Sequence, residues 1–172
     1  VNNISPLKYS HPNYSNNSMY YKLGFIILPQ NGFQAKITLL ACQGYNVSNG
    51  IKSTAYGPQN YEANIYIYSS NTYSSVPLDS GSNTSGVNDT GCYHYGFCSI
   101  HSPWGRPNSI HLCPDIYNPM NKVSVWVGNS PWWGNPLVEV STNGSWYQDT
   151  NMSSNLPNTG WVSLPIKRIS LV

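Results

Sequence analysis

The stretch FQAKITLLA at residues 33–41 decides the fold. Phe33, Ala35, Ile37 and Leu39 alternate with Gln34, Lys36 and Thr38, so the apolar set lies on one side only if the backbone is extended. The same period recurs in ANIYIY (63–68), where Ile65 and Ile67 alternate with Tyr66 and Tyr68. In KVSVWVG (122–128), Val123, Val125 and Val127 alternate with Ser124 and Trp126. MYYKLGFIIL (19–28) and WVSLPIKRISLV (161–172) add further strand-like runs, and Pro165 suits an edge or a bulge in the last of them. PLVEVSTNGSWYQ (136–148) carries Asn143-Gly144 between two strand-like arms and predicts a hairpin.

No segment offers an amphipathic helix of useful length, and β-branched and aromatic residues outnumber strong helix formers. About eight strands within 172 residues predict one all-β domain. The expected architecture is an antiparallel β-sandwich of jelly-roll type, with a barrel as the alternative. Residues 1–18 are polar and turn-rich and read as an N-terminal arm that a neighbouring subunit could order. Residues 19–172 form the single sandwich domain. Residues 69–91, rich in Ser, Asn and Gly, read as a long loop at one end of it.

Charged residues make up 8% of the chain, against roughly 25% in an average soluble domain. Eight basic and six acidic residues are spread thinly, for a net charge of +2. No Lys/Arg cluster provides a nucleic-acid or anionic-lipid footprint. The longest apolar run, LGFIILP, is too short to cross a bilayer. The start lacks a signal-peptide pattern, so the sequence reads as a mature form or an excised fragment.

Asn-x-Ser/Thr sequons stand at Asn3, Asn13, Asn16, Asn46, Asn83, Asn88, Asn143 and Asn151, eight in all. Chance placement of Ser and Thr would give about four. Together with low charge and an even cysteine count, they predict an extracellular protein, secreted or on a virion or cell surface.

CYHYGFCSIHSPWGRPNSIHLC (92–113) holds three of the four cysteines and three of the four histidines. A zinc site would draw on Cys92, His94, Cys98, His101, His111 and Cys113, but the Cys92-x5-Cys98 spacing is too wide for a knuckle, and no metal is expected. Two disulfides among Cys42, Cys92, Cys98 and Cys113 are the favoured reading, stapling a loop of little regular structure to the sheet. Three pairings are open, with Cys92–Cys98 and Cys42–Cys113 preferred for the short loop of the first. Catalysis finds few carboxylates (Glu62, Asp79, Asp89, Asp115, Glu139 and Asp149) and no GxSxG or HExxH motif. Asp79 and Asp89 as a glycosidase pair sit in a Ser/Gly-rich loop and read as solvated. No enzyme activity and no cofactor are expected. Trp104 and Arg106 in SPWGRP, and Trp132 and Trp133 in GNSPWWGNP, are candidates for glycan stacking or for a subunit contact.

Three segments in order, YYKLGFIILPQNGFQAKITLLACQGYN (20–46), ANIYIYSSN (63–71) and NKVSVWVGNSPWWGNPLVEVSTNGSW (121–146), resemble the C-terminal head domains of fibre-like proteins. Such heads occur on phage tail fibres, large DNA viruses and collagen-like surface proteins. The resemblance implies a jelly-roll head, often trimeric, used for attachment or exterior structure. Four cysteines and many sequons depart from phage-like members. The expected function is therefore a non-enzymatic structural or attachment subunit of a glycosylated surface assembly: a virion fibre, capsid decoration or filament. Its partners would be copies of itself, as a trimer or filament, and cell-surface glycans. The alternative is a monomeric secreted carbohydrate-binding module, and a weaker one is a secreted hydrolase with a dispersed site.

Overall fold

The computed structural model describes residues 7–13, 15–42, 59–74, 92–102, 105–115, 117, 121–129, 135–157 and 161–169. Among them are twelve strands and no helix: β1 Leu7–Ser10, β2 Met19–Ile27, β3 Gln34–Cys42, β4 Asn60–Ser74, β5 Cys92–His101, β6 Ser109–Pro114, β7 Lys122–Asn129, β8 Leu137–Thr142, β9 Ser145–Tyr147, β10 Asn151–Ser153, β11 Val162–Ser163 and β12 Ile166–Arg168. Five of them, β1 and β9 to β12, are pieces of two to four residues, too short to show a period in sequence, while β5 and β6 fall in the stretch read as a loop.

Two sheets result. The first has the order β1-β8-β3-β4-β5-β12, and the second β10-β2-β7-β6-β11, with β9 also paired to β2. All pairings are antiparallel except β12 on β5. The run β8-β3-β4-β5 is a Greek-key order: three successive strands, and a later one returning beside the first.

The alternation read from sequence sets which side of each strand is buried. Ile37 and Leu39 of β3, Ile65 and Ile67 of β4, and Ile100 of β5 face Leu23 and Ile26 of β2, Ile110 and Leu112 of β6, and Val123, Val125 and Val127 of β7 in one buried cluster. The two sheets therefore share a core. A buried polar link crosses it: the Tyr61 hydroxyl donates to Asn129 Oδ1 at 3.1 Å, and Asn129 Nδ2 donates to the Cys42 carbonyl at 3.3 Å.

Asn143-Gly144 makes a turn, but not a hairpin. Leu137–Thr142 pairs in the first sheet and Ser145–Tyr147 in the second, so the chain turns a corner between layers. Trp146 is the cause. Its ring packs against the core over Gly24, where a side chain would overlap the ring and the Tyr147 carbonyl. The β2–β7 register also slips between Lys22 and Gly24.

The cysteine–histidine stretch is not an irregular loop. It forms β5 and β6, with His94, Cys98 and Ile100 buried on one side and Tyr95, Phe97 and Ser99 on the other. This placement corrects the preferred cross-links. Cys92 and Cys98 lie six residues apart on one extended strand, about 20 Å, far beyond disulfide reach. The second preferred pair, Cys42–Cys113, would join β3 of the first sheet to β6 of the second, and the two are not bonded. No two of Cys42, Cys98 and Cys113 are bonded, and the side chain of Cys92 lies outside those described.

The part of the arm that is described lies on its own chain. β1 pairs with β8, the Tyr9 hydroxyl donates to the Leu23 carbonyl, and His11 Nε2 donates to the Lys22 carbonyl at 2.7 Å. Pro165 falls between β11 and β12, and carries the chain from an edge of one sheet to an edge of the other.

Candidate functional site

Because Ile65 and Ile67 point inward, Tyr66 and Tyr68 stand on the outer face of the first sheet. Tyr95 and Phe97 do the same on β5, where Tyr68 pairs with Tyr95 and Tyr66 with Phe97. The rings stack across the strands: Tyr66 on Phe97 at 4.9 Å and 25°, Tyr68 on Tyr95 at 5.5 Å and 22°. Near-parallel rings at about the strand spacing must stand up from the sheet, so their flat faces look sideways along it. On the β3 side this leaves an aromatic wall.

Opposite that wall stand Thr142 and Asn143 from the end of β8, with Gln34 and Lys36 of β3 between, enclosing a groove of about 470 Å³. The far wall is fixed by hydrogen bonds. Asn143 Oδ1 accepts from the Gln34 amide at 2.8 Å, and Thr142 Oγ1 donates to the Gln34 carbonyl at 2.7 Å. Lys36 Nζ lies 5.9 Å from the Tyr66 ring centre. One wall of flat rings and one of hydroxyl and amide groups, with a single cation, is suited to a polar ligand that has apolar faces. Further along the same outer face, Leu40 and Leu137 pair and are 47% and 52% exposed, and Phe97 is 44% exposed, so apolar surface continues beyond the groove.

A second recess, about 330 Å³, lies on the outer face of the second sheet. Lys22 pairs with Asp149 at 2.5 Å and Lys122 with Asp115 at 3.3 Å, flanking Phe25, which stacks on Tyr147 at 4.8 Å. Cation and carboxylate neutralise each other here. Beside it, His111 lies 2.8 Å from Ser109 Oγ and 3.0 Å from Ser163 Oγ. A serine–histidine–serine series invites a catalytic reading, but His111 is 4% exposed beneath Trp161 and Tyr20. Burial pushes its pKa down to about 4, far from a general base tuned to neutral pH. The geometry is that of a polar clasp between β6 and β11.

Of the residues singled out in sequence, Arg106 is exposed beside buried Gly105 and Pro107, while Trp104, Trp132 and Trp133 lie outside the described residues. So do Asp79, Asp89 and the sequons Asn3, Asn46, Asn83 and Asn88. Asn16, Asn143 and Asn151 are exposed and Asn13 is half-buried. Glu139 pairs with Lys8 at 3.8 Å, and Glu62 accepts from Asn64 Nδ2 at 3.2 Å. Among the described residues no three His, Cys, Asp or Glu side chains converge on a metal position. The aromatic wall was not foreseen as a site. Its signal was present in the outward phase of Tyr66/Tyr68 and Tyr95/Phe97, but strand pairing alone brings the two pairs together.

The fold defines an all-β class of domain, with no helix among the described residues. No protein-family model matches the chain, and no curated protein matches it. Among solved structures, it is similar to a glycan biofilm modifying enzyme of Pantoea stewartii, described as having a bacteriophage tailspike-like parallel β-helix fold. The TM-score is 0.56 at 10% identity, and the match covers 92% of this chain but 21% of that one. The likeness is one of fold with part of a much longer protein.

Proposed function

We propose that this chain is a non-enzymatic, extracellular structural or attachment domain, one subunit of a glycosylated surface assembly such as a virion fibre, capsid decoration or filament. One observation carries the reading: the outer face of the first sheet presents stacked rings and exposed leucines on a surface with few charges. Such a face associates with little ion desolvation, and aromatic residues are the usual material of contact cores. The resemblance to fibre heads agrees with this, and the Greek-key order of β8-β3-β4-β5 supports a jelly-roll description as part of the proposal. The extracellular setting rests on sequons and low charge rather than on cross-links. A disulfide in such a chain would have to involve Cys92 or join two copies.

A second reading, a monomeric carbohydrate-binding module, is favoured by the groove between Tyr66/Tyr68 and Thr142/Asn143. Light scattering on the native protein separates the two. A defined oligomer or filament is expected, with Phe97→Ser weakening it. A stable 19.1 kDa polypeptide, before glycan mass, would overturn the assembly and leave the module.

A further inference from the structure

Asn143 belongs at once to a sequon and to the far wall of the groove. Its backbone N–H donates to the Gln34 carbonyl at 3.3 Å, while its Oδ1 accepts from the Gln34 amide at 2.8 Å. Both bonds hold the side chain at the groove's rim, and neither uses Nδ2. Asn143 is exposed, as is Ser145, which completes the sequon. Across the groove stands Tyr68, stacked on Tyr95 on one side and turned toward β3 on the other.

We propose that Asn143 carries an N-linked glycan whose innermost neutral pyranose rings lie in this groove, against the face of Tyr68 turned to β3. The inference rests on the extracellular reading. The transfer forms a bond from Nδ2 to the anomeric carbon of the first sugar and breaks that carbon's bond to the diphosphate of a polyprenol-linked oligosaccharide donor. Polyprenyl diphosphate leaves, and Nδ2 gives up one proton. The apolar face of the sugar then covers the ring, and its hydroxyls meet Thr142, Gln34 and Lys36 in place of water. The occupant is tethered, so its effective concentration is high and no independent affinity is needed.

The test uses the full chain from a eukaryotic secretory host, with site occupancy read by glycopeptide mass spectrometry and stability by Tm. Ser145→Ala removes the acceptor signal but keeps Asn143 and its bonds to Gln34. Tyr68→Ser removes the ring. The expected result is an occupied Asn143 and a Tyr68→Ser loss of about 2–4 °C beyond that seen in the Ser145→Ala background. Three results would overturn the inference alone: Asn143 bare while Asn16 or Asn151 is occupied, an occupied Asn143 with additive variants, or a free neutral oligosaccharide perturbing Tyr68 equally with and without the attached glycan. Protein from its native source with no sugar at any sequon would overturn the extracellular reading as well.

Discussion

Tyr61 and Asn129 join the two layers through the core, and the pair has an asymmetric energetic role. Tyr61 is 3% exposed, so Tyr61→Phe removes a buried hydrogen bond to Asn129 Oδ1 in a dry setting. The expected loss is about 1–3 kcal/mol in urea unfolding, with an unchanged m-value. Buried histidines act on a different variable. Burial lowers the pKa of His94 and of His111 to about 4, against roughly 6.5 in the unfolded chain. Both are therefore neutral when folded, and the unfolded state takes up the protons first. Stability should be full above pH 6.5 and fall steadily from there to pH 4, by on the order of 3 kcal/mol for each histidine. A Tm profile against pH checks this, and His94→Gln should flatten part of the slope. These roles were hidden in the sequence, where His94 and Cys98 stood out for their chemistry. The period-two pattern through His94, Gly96, Cys98 and Ile100 marks instead the buried side of a strand.

Elements whose pattern was long and clean were legible. The alternations of 33–41, 63–68 and 122–128 became β3, part of β4 and β7 with the expected sides buried, because a one-residue slip would turn every apolar group to solvent. The corner after β8 was not legible, since Asn-Gly fixes a tight turn but says nothing of which sheet receives the next strand. That choice is made by Trp146 finding the space over Gly24. Gly24→Ala should therefore destabilise by about 1–3 kcal/mol through overpacking, measured by urea denaturation. Trp146→Ala should offset only part of that penalty in the double variant, since the ring is then gone but the Tyr147 carbonyl still stands where the new methyl must go. The groove was half legible: the Tyr66/Tyr68 alternation and the Asn143 turn could be read, but Tyr95 and Phe97 lie in the stretch taken for a loop, and the convergence depends on β8 and β4 flanking β3.

At the scale of the whole molecule, the exposed rings and leucines of the first sheet set the expectation of association. Phe97→Ser should reduce the assembled mass at the cost of only a few degrees in Tm, because the ring lies outside the buried cluster and what the monomer loses is its stacking on Tyr66.

The borders of that sheet carry a separate hazard. β1 and β12, the first and last strands described, each shield a longer strand, the six-residue β8 and the ten-residue β5. Arg168 secures one border by donating to the Ser102 carbonyl at 2.5 Å, and Tyr9 and His11 secure the other. Protease nicking that released either guard would bare a row of unpaired amides and carbonyls ready to template a foreign strand. Clipped molecules should then gain thioflavin-positive fibres while intact ones do not, so β1 and β12 double as stoppers against amyloid growth.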